Sequence, residues 1–172
     1  TIILLVWMAL LSLGLSLFIF GAGDMLVFRV AGDVSQIMQI TSDDIIWRYI
    51  AAFGYAAIAL TVIVSIAIFF SLFADNSIGP IITTICIVLV FTIISNMNIP
   101  LIDHYVKPYL FTSYLVGWKG FFYIATSEEG VPIKGSIENI SSIIESISIL
   151  MLHILTLFII SAMVFKRKDI LS

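Results

Sequence analysis

Apolar residues fall along this chain in long unbroken blocks, and the charged residues collect in the gaps between them. Four blocks, 1–20, 49–74, 81–98 and 146–165, contain no Asp, Glu, Lys or Arg. Each reaches the ~17–25 residues that an α-helix needs to cross the hydrocarbon of a bilayer. Their edges carry stop and start signals. Gly21-Ala22-Gly23-Asp24 ends the first block, Arg48 and Asp75 frame the second, and Glu145 and Lys166 frame the fourth. The third follows Gly79-Pro80, with Pro80 suited to a first helical turn, and Pro100 is expected to close it. The pattern predicts an all-α, polytopic membrane helical bundle of four transmembrane helices, a single transmembrane domain over residues 1–172.

The connections are unequal. Residues 75–79 form one very short link, whereas 21–47 and 98–142 are long loops on the opposite side of the membrane. The second long loop gathers Tyr105, Tyr109, Phe111, Tyr114, Trp118, Phe121, Phe122 and Tyr123, interrupted by Lys107, Pro108 and Lys119. Amphipathic aromatics favour the headgroup layer. The uncharged window 108–118 is too short for a crossing, so 105–125 reads as an external interfacial or re-entrant segment. Residues 127–132 read as a turn, and 136–145 as the start of the last helix before it enters lipid. The tail Lys166-Arg167-Lys168 sets three positive charges against a helix end, which places the C-terminus in the cytoplasm by the positive-inside rule and makes the chain a multi-pass protein of the cell membrane. Arg48 sits at a helix end on the other side.

Composition agrees with this pattern. Of 172 residues, 61% are hydrophobic and 11% charged, against ~45–50% and ~25% in an average soluble domain. Mean hydropathy is +1.18. A net charge of −3 and basic residues that cluster only in the tail give nucleic acid nothing to bind. The one cysteine, Cys86, lies inside an apolar block and reads as a packing residue. The sequence opens at Thr1 within an apolar run and without a basic leader region, so it reads as the C-terminal portion of a longer chain.

Candidate chemistry is sparse. Ionisable groups inside a span are expensive and usually functional, and His153 is the one such residue besides Cys86 and the tyrosines. It reads as a proton relay or ligand contact, or, more simply, as a histidine hydrogen-bonded to a neighbouring helix. Asp103-His104 suggests an acid/base pair but lacks a third partner. Two histidines far apart supply no metal site, and no Walker loop or Gly-x-Ser-x-Gly turn is present. No catalytic residue, metal or cofactor is therefore expected in this chain. Ala52, Ala56 and Ala59, with Gly54 and Ala57, make a small-residue stripe suited to close helix approach, within the subunit or at a dimer seam. Ser65 and Ser71 can bond their own helix. Asn96 and Asn98, in Ser95-Asn96-Met97-Asn98, either face a pathway or cap a helix end.

Several of these segments resemble a known family. Ser71-Leu72-Phe73-Ala74-Asp75-Asn76-Ser77 fits the Ser-x-Phe-plus-polar cytoplasmic turn that ends an Ala- and Ser-rich helix in the permease subunit of type 2 ATP-binding-cassette (ABC) transporters. Ile99-Pro100-Leu101 and Pro108-Tyr109-Leu110-Phe111 match that family's Pro-containing, aromatic external segment, and Lys168-Asp169-Ile170 its short basic tail. The resemblance implies the last four of six spans and an exporter working by alternating access. It also implies a second permease subunit and a separate nucleotide-binding ATPase subunit that would hold ATP and Mg. On this reading Asp75, Asn76 and Ser77 contact the ATPase, Lys166, Arg167 and Lys168 anchor the cytoplasmic end among membrane lipids, and Asn96, Asn98 and His153 are polar residues of the pathway. An apolar pathway suits an amphipathic or lipid-like cargo. The alternatives are a gradient-driven secondary carrier, a lipid-modifying membrane enzyme around Asp103 and His104, and a structural membrane subunit.

Overall fold

The two longest helices grow from the blocks framed by single charges. In the computed structural model, which describes residues 2–20, 23–31, 34–74, 76, 78–127 and 132–169, α2 runs Ser42–Ser71 and α6 runs Ile140–Asp169, 30 residues each. A helix of that length extends ~45 Å, against ~30 Å of hydrocarbon. The first turns of α2, which carry Asp43, Asp44 and Arg48, therefore lie outside the charge-free crossing segment that begins at Tyr49. Helix α3 runs Ile78–Asn96. By length and composition α2, α3 and α6 can each cross a membrane, and together they point to a membrane-embedded protein. Helix α1, Ile2–Phe20, contributes a shorter apolar stretch, Val6–Ser16, among the described residues.

Each long helix buries a narrow seam. On α2 the buried residues are Ala52, Tyr55, Ala59, Val62 and Ile66, alternately three and four apart, which keeps them on one face. On α6 they are Ile143, Ser146, Leu150 and Ser161, with half-buried His153 on the same line. The other faces carry exposed Ile, Leu, Val and Phe, as helices surrounded by lipid require.

Two expectations change, and the aromatic loop gains detail. The first long loop is not irregular: Met25–Ala31 (β1) and Val34–Ile40 (β2) pair antiparallel, in register from Met25 opposite Ile40 to Ala31 opposite Val34. The all-α class therefore gives way to a mostly helical one. Val27, Phe28, Val30, Val34, Ile37 and Ile40 are of the β-branched and aromatic types that favour strands; Gly32 and Asp33, between the strands, lie outside the described residues. Pro100 does not close α3, which ends at Asn96; it opens α4, Pro100–Tyr105, where a fixed φ and a missing N–H suit the first helical position. The aromatic loop is a chain of short helical pieces, namely α4, a 3₁₀ turn at Lys107–Tyr109, α5 at Phe111–Tyr114 and a 3₁₀ turn at Gly117–Phe122. None of these is long enough to cross a bilayer.

The chain divides into two compact units, 1–57 with 117–144, and 58–116 with 145–172. In the first, buried Ile40 and Ile124 form a small core flanked by Val27, Ile45 and Phe122. Asp24 joins the hairpin to α2: its carboxylate accepts from Gln39 Nε2 at 2.7 Å and from the Ser42 amide at 3.1 Å, satisfying a free N–H at the helix start. Buried Tyr55 meets the edge of Phe121, and its phenol occupies the space that a Cβ at Gly117 would need. In the second unit α5 packs on α3 through Phe91 and Phe111, ring centroids 5.9 Å apart.

Candidate functional site

Two constructions stand out, one in each unit. The first is centred on Arg48, which is fully buried. Its Nε and one terminal nitrogen donate to Asp44 Oδ2 at 3.1 and 2.8 Å, one turn back on α2. The guanidinium also donates to the carbonyls of Phe121 and Ser136 and lies over the Trp47 ring, 4.8 Å from its centroid. Asp44 is equally engaged, accepting from Trp47 Nε1 and, at 3.2 Å, from the Gly135 amide. Gly135 adopts φ 78°, a conformation that costs a residue without Cβ little; its own amide reaches Asp44 and the next carbonyl reaches Arg48. Burial alone would raise the Asp44 carboxyl, but the hydrogen bonds from Trp47 and Arg48, the Arg48 charge and the Gly135 amide outweigh it and hold the group below the ordinary carboxylate value. Ser136, expected at the start of the last helix, instead staples the loop: its hydroxyl accepts from the Ala125 amide at 3.1 Å and donates to Ile133 O at 2.6 Å. Helix α6 begins only at Ile140.

The second construction is a cavity of about 420 Å³ in the other unit, lined mainly by Phe69, Phe70, Phe91, Phe111, His153 and Thr156. Phe111 is buried and meets the His153 ring at 6.2 Å, edge to face. His153 Nδ1 lies 2.8 Å from Ile149 O on its own helix, and not on a neighbouring helix as the sequence suggested. A carbonyl can only accept, so Nδ1 carries a proton, and in the uncharged form of the ring Nε2 is then an acceptor. Thr156 spends its proton on Leu152 O at 2.8 Å. Behind the aromatic wall a hydroxyl relay fixes α5 to α3. Thr112 Oγ1 donates to Phe91 O at 3.0 Å, so Ser95 must donate to Thr112 at 2.6 Å, and Ser113 to Ser95 at 3.2 Å.

The remaining residues of interest lie apart from these. Asn96 is exposed and donates to Thr92 O at 2.8 Å, and Asn98 is exposed beyond the end of α3, so the structure does not bring either amide to His153. The residue of that polar group with a long-range role is Ser95. Asn76 Oδ1 accepts from the Gly79 amide at 3.0 Å in the first turn of α3; Asp75 and Ser77 lie outside the described residues. Lys166 and Arg167 are exposed near the end of α6, and the Lys168 side chain lies outside the described set. Asp103 pairs with Lys107, not with His104, whose ring meets Tyr105 at 4.8 Å. Of the alanine stripe, Ala52 and Ala59 are buried within the chain, while Ala56 lines a smaller cavity of about 250 Å³ beside Trp118 and Phe122. Among the described residues no three His, Cys, Asp or Glu side chains converge on one point.

No family model, curated protein or solved structure matches the chain.

Proposed function

We propose that this chain is a membrane-spanning permease subunit of a type 2 ABC exporter, contributing walls and hinges to a translocation pathway that opens alternately to either side. The observation that carries the reading is the aromatic cavity, bounded by side chains of α2, α3, α6 and the aromatic loop and free of any Asp, Glu, Lys or Arg in its lining. Such a cavity can hold an apolar cargo, and with no carboxylate in its lining to bind a coupling cation it supports a reading in which the driving energy falls to a partner. The partner is a cytoplasmic ATPase subunit holding ATP and Mg, met at the 75–79 turn by Asp75, Asn76 and Ser77. A second permease subunit, identical or not, completes the pathway. Exposed Lys166 and Arg167 favour a cytoplasmic C-terminus, and α1 then serves as a fourth crossing in the cell membrane.

The test is purification of the full-length protein from native membranes in mild detergent. A stoichiometric soluble subunit with a Walker motif and ATPase activity is the expected result. An intact, folded preparation without one would overturn the exporter reading and return the weight to a gradient-driven carrier.

A further inference from the structure

The aromatic cavity has a definite hydrogen-bonding character, and that character selects a ligand. Its walls are the faces and edges of Phe69, Phe70, Phe91 and Phe111. Its polar functions are the His153 ring, with the Nδ1 proton committed to Ile149 O, the Thr156 hydroxyl, with its proton committed to Leu152 O, and, at the exposed rim, the Tyr109 phenol. Inside the cavity Thr156, and His153 as an uncharged ring, therefore offer a guest a lone pair. No cationic side chain in the lining can receive a phosphate or carboxylate, and no carboxylate can receive an amine. A charged headgroup placed here would be desolvated without a counter-ion, a large penalty in an apolar site.

From this we propose that the cavity binds an uncharged amphiphile with a single hydroxyl, a long-chain alcohol in chemical class, whose O–H donates to His153 Nε2 while its chain lies against the phenylalanine wall. Phe111 helps to set the geometry: it is buried, held through the hydroxyl relay of its neighbour Thr112, and meets the imidazole edge to face, while Nδ1 is tied to Ile149 O, so the ring is held at two points in the cavity lining. As the cargo class of an exporter the inference rests on the function proposed above. As a binding site it needs only the cavity.

The experiment is photolabelling of the purified full-length protein in detergent with a diazirine-bearing hexadecanol, compared with hexadecane, hexadecanoate and hexadecyl-trimethylammonium probes carrying the same diazirine. Peptides covering 149–157 are read by mass spectrometry. The alcohol is expected to label them about fivefold more than the alkane, the worth of one net hydrogen bond. His153→Leu should remove that preference while keeping the total labelling and the thermal transition, and His153→Gln, which restores an acceptor, should recover part of it. Equal labelling by alcohol and alkane in the unmodified protein would overturn the proposal. So would a preference for the trimethylammonium probe, which would make the cavity an aromatic cation cage, or for the carboxylate. Alcohol labelling in a preparation without an ATPase subunit would sink the exporter reading and leave this site standing. Absent preference in a preparation that retains the ATPase would do the reverse.

Discussion

The Arg48 junction and the His153 cavity solve opposite problems with the same few residue types. At the junction a full charge is buried and the guanidinium makes four hydrogen bonds, two to Asp44 and two to loop carbonyls, with Asp44 in turn held by Trp47 and Gly135. In the cavity a half-buried histidine spends one nitrogen on its own helix, meets Phe111 with its ring and lines an open hollow. The contrast separates a place built to stay closed from a place built to be filled. Saturated polar groups resist rearrangement, because each lost partner leaves a buried group unsatisfied. An aromatic hollow whose polar groups keep spare lone pairs loses no hydrogen bond when a guest enters.

The largest effect that would sharpen this contrast is expected at Arg48. Arg48→Met leaves the Asp44 carboxylate buried beside two orphaned carbonyls, and breaking a buried pair in this way costs about 3–5 kcal/mol. Thermal unfolding in detergent should show a large fall, together with lower accumulation in membranes. A loss no greater than that of an ordinary surface substitution would void the comparison. Next comes Thr112→Val, which cuts the relay between α5 and α3 and removes a net hydrogen bond, about 1 kcal/mol. Its transition should fall measurably, yet by clearly less than that of Arg48→Met. Smallest is Lys134→Ala. Lys134 reaches Asp43 at 3.5 Å with both side chains exposed, and such pairs contribute about 0–1 kcal/mol, so its unfolding curve should nearly overlay that of the parent. If Lys134→Ala rivalled Thr112→Val, position in the network would not be what sets the cost.

The long helices were legible because lipid enforces a rule that the sequence must obey, the absence of ionised side chains over a membrane's width. Their seams were half legible. Ala52 and Ala59 could be picked out as small residues, but buried Tyr55 between them could not, since its burial depends on Gly117 and Phe121 far along the chain. The hairpin is invisible to a search for charge-free windows of membrane length, because its strands have seven residues each and the first carries Arg29; the Gly32-Asp33 pair between Val30 and Val34 was the available signal. The long-range partners of Arg48 left no signal at all. They are the backbone carbonyls of Phe121 and Ser136, and a carbonyl belongs to every residue. His153 was visible as an oddity within its block, whereas its aromatic surroundings required Phe111, delivered by a loop whose path is set by Pro100 and the relay at Thr112.

The distance along the chain between Arg48 and its carbonyl partners also sets a schedule for biosynthesis. Phe121 and Ser136 follow it by 73 and 88 residues, which at ribosomal speeds of ~5–20 residues per second means a wait of roughly 4–18 s. During that interval α3 has been made, but the acceptors have not. Asp44, one turn away and synthesised just ahead, is the counter-ion at hand from the first moment. The Asp44–Arg48 pair thus escorts its own charge through the early steps of assembly, and the late arrival of the loop carbonyls seals it in place.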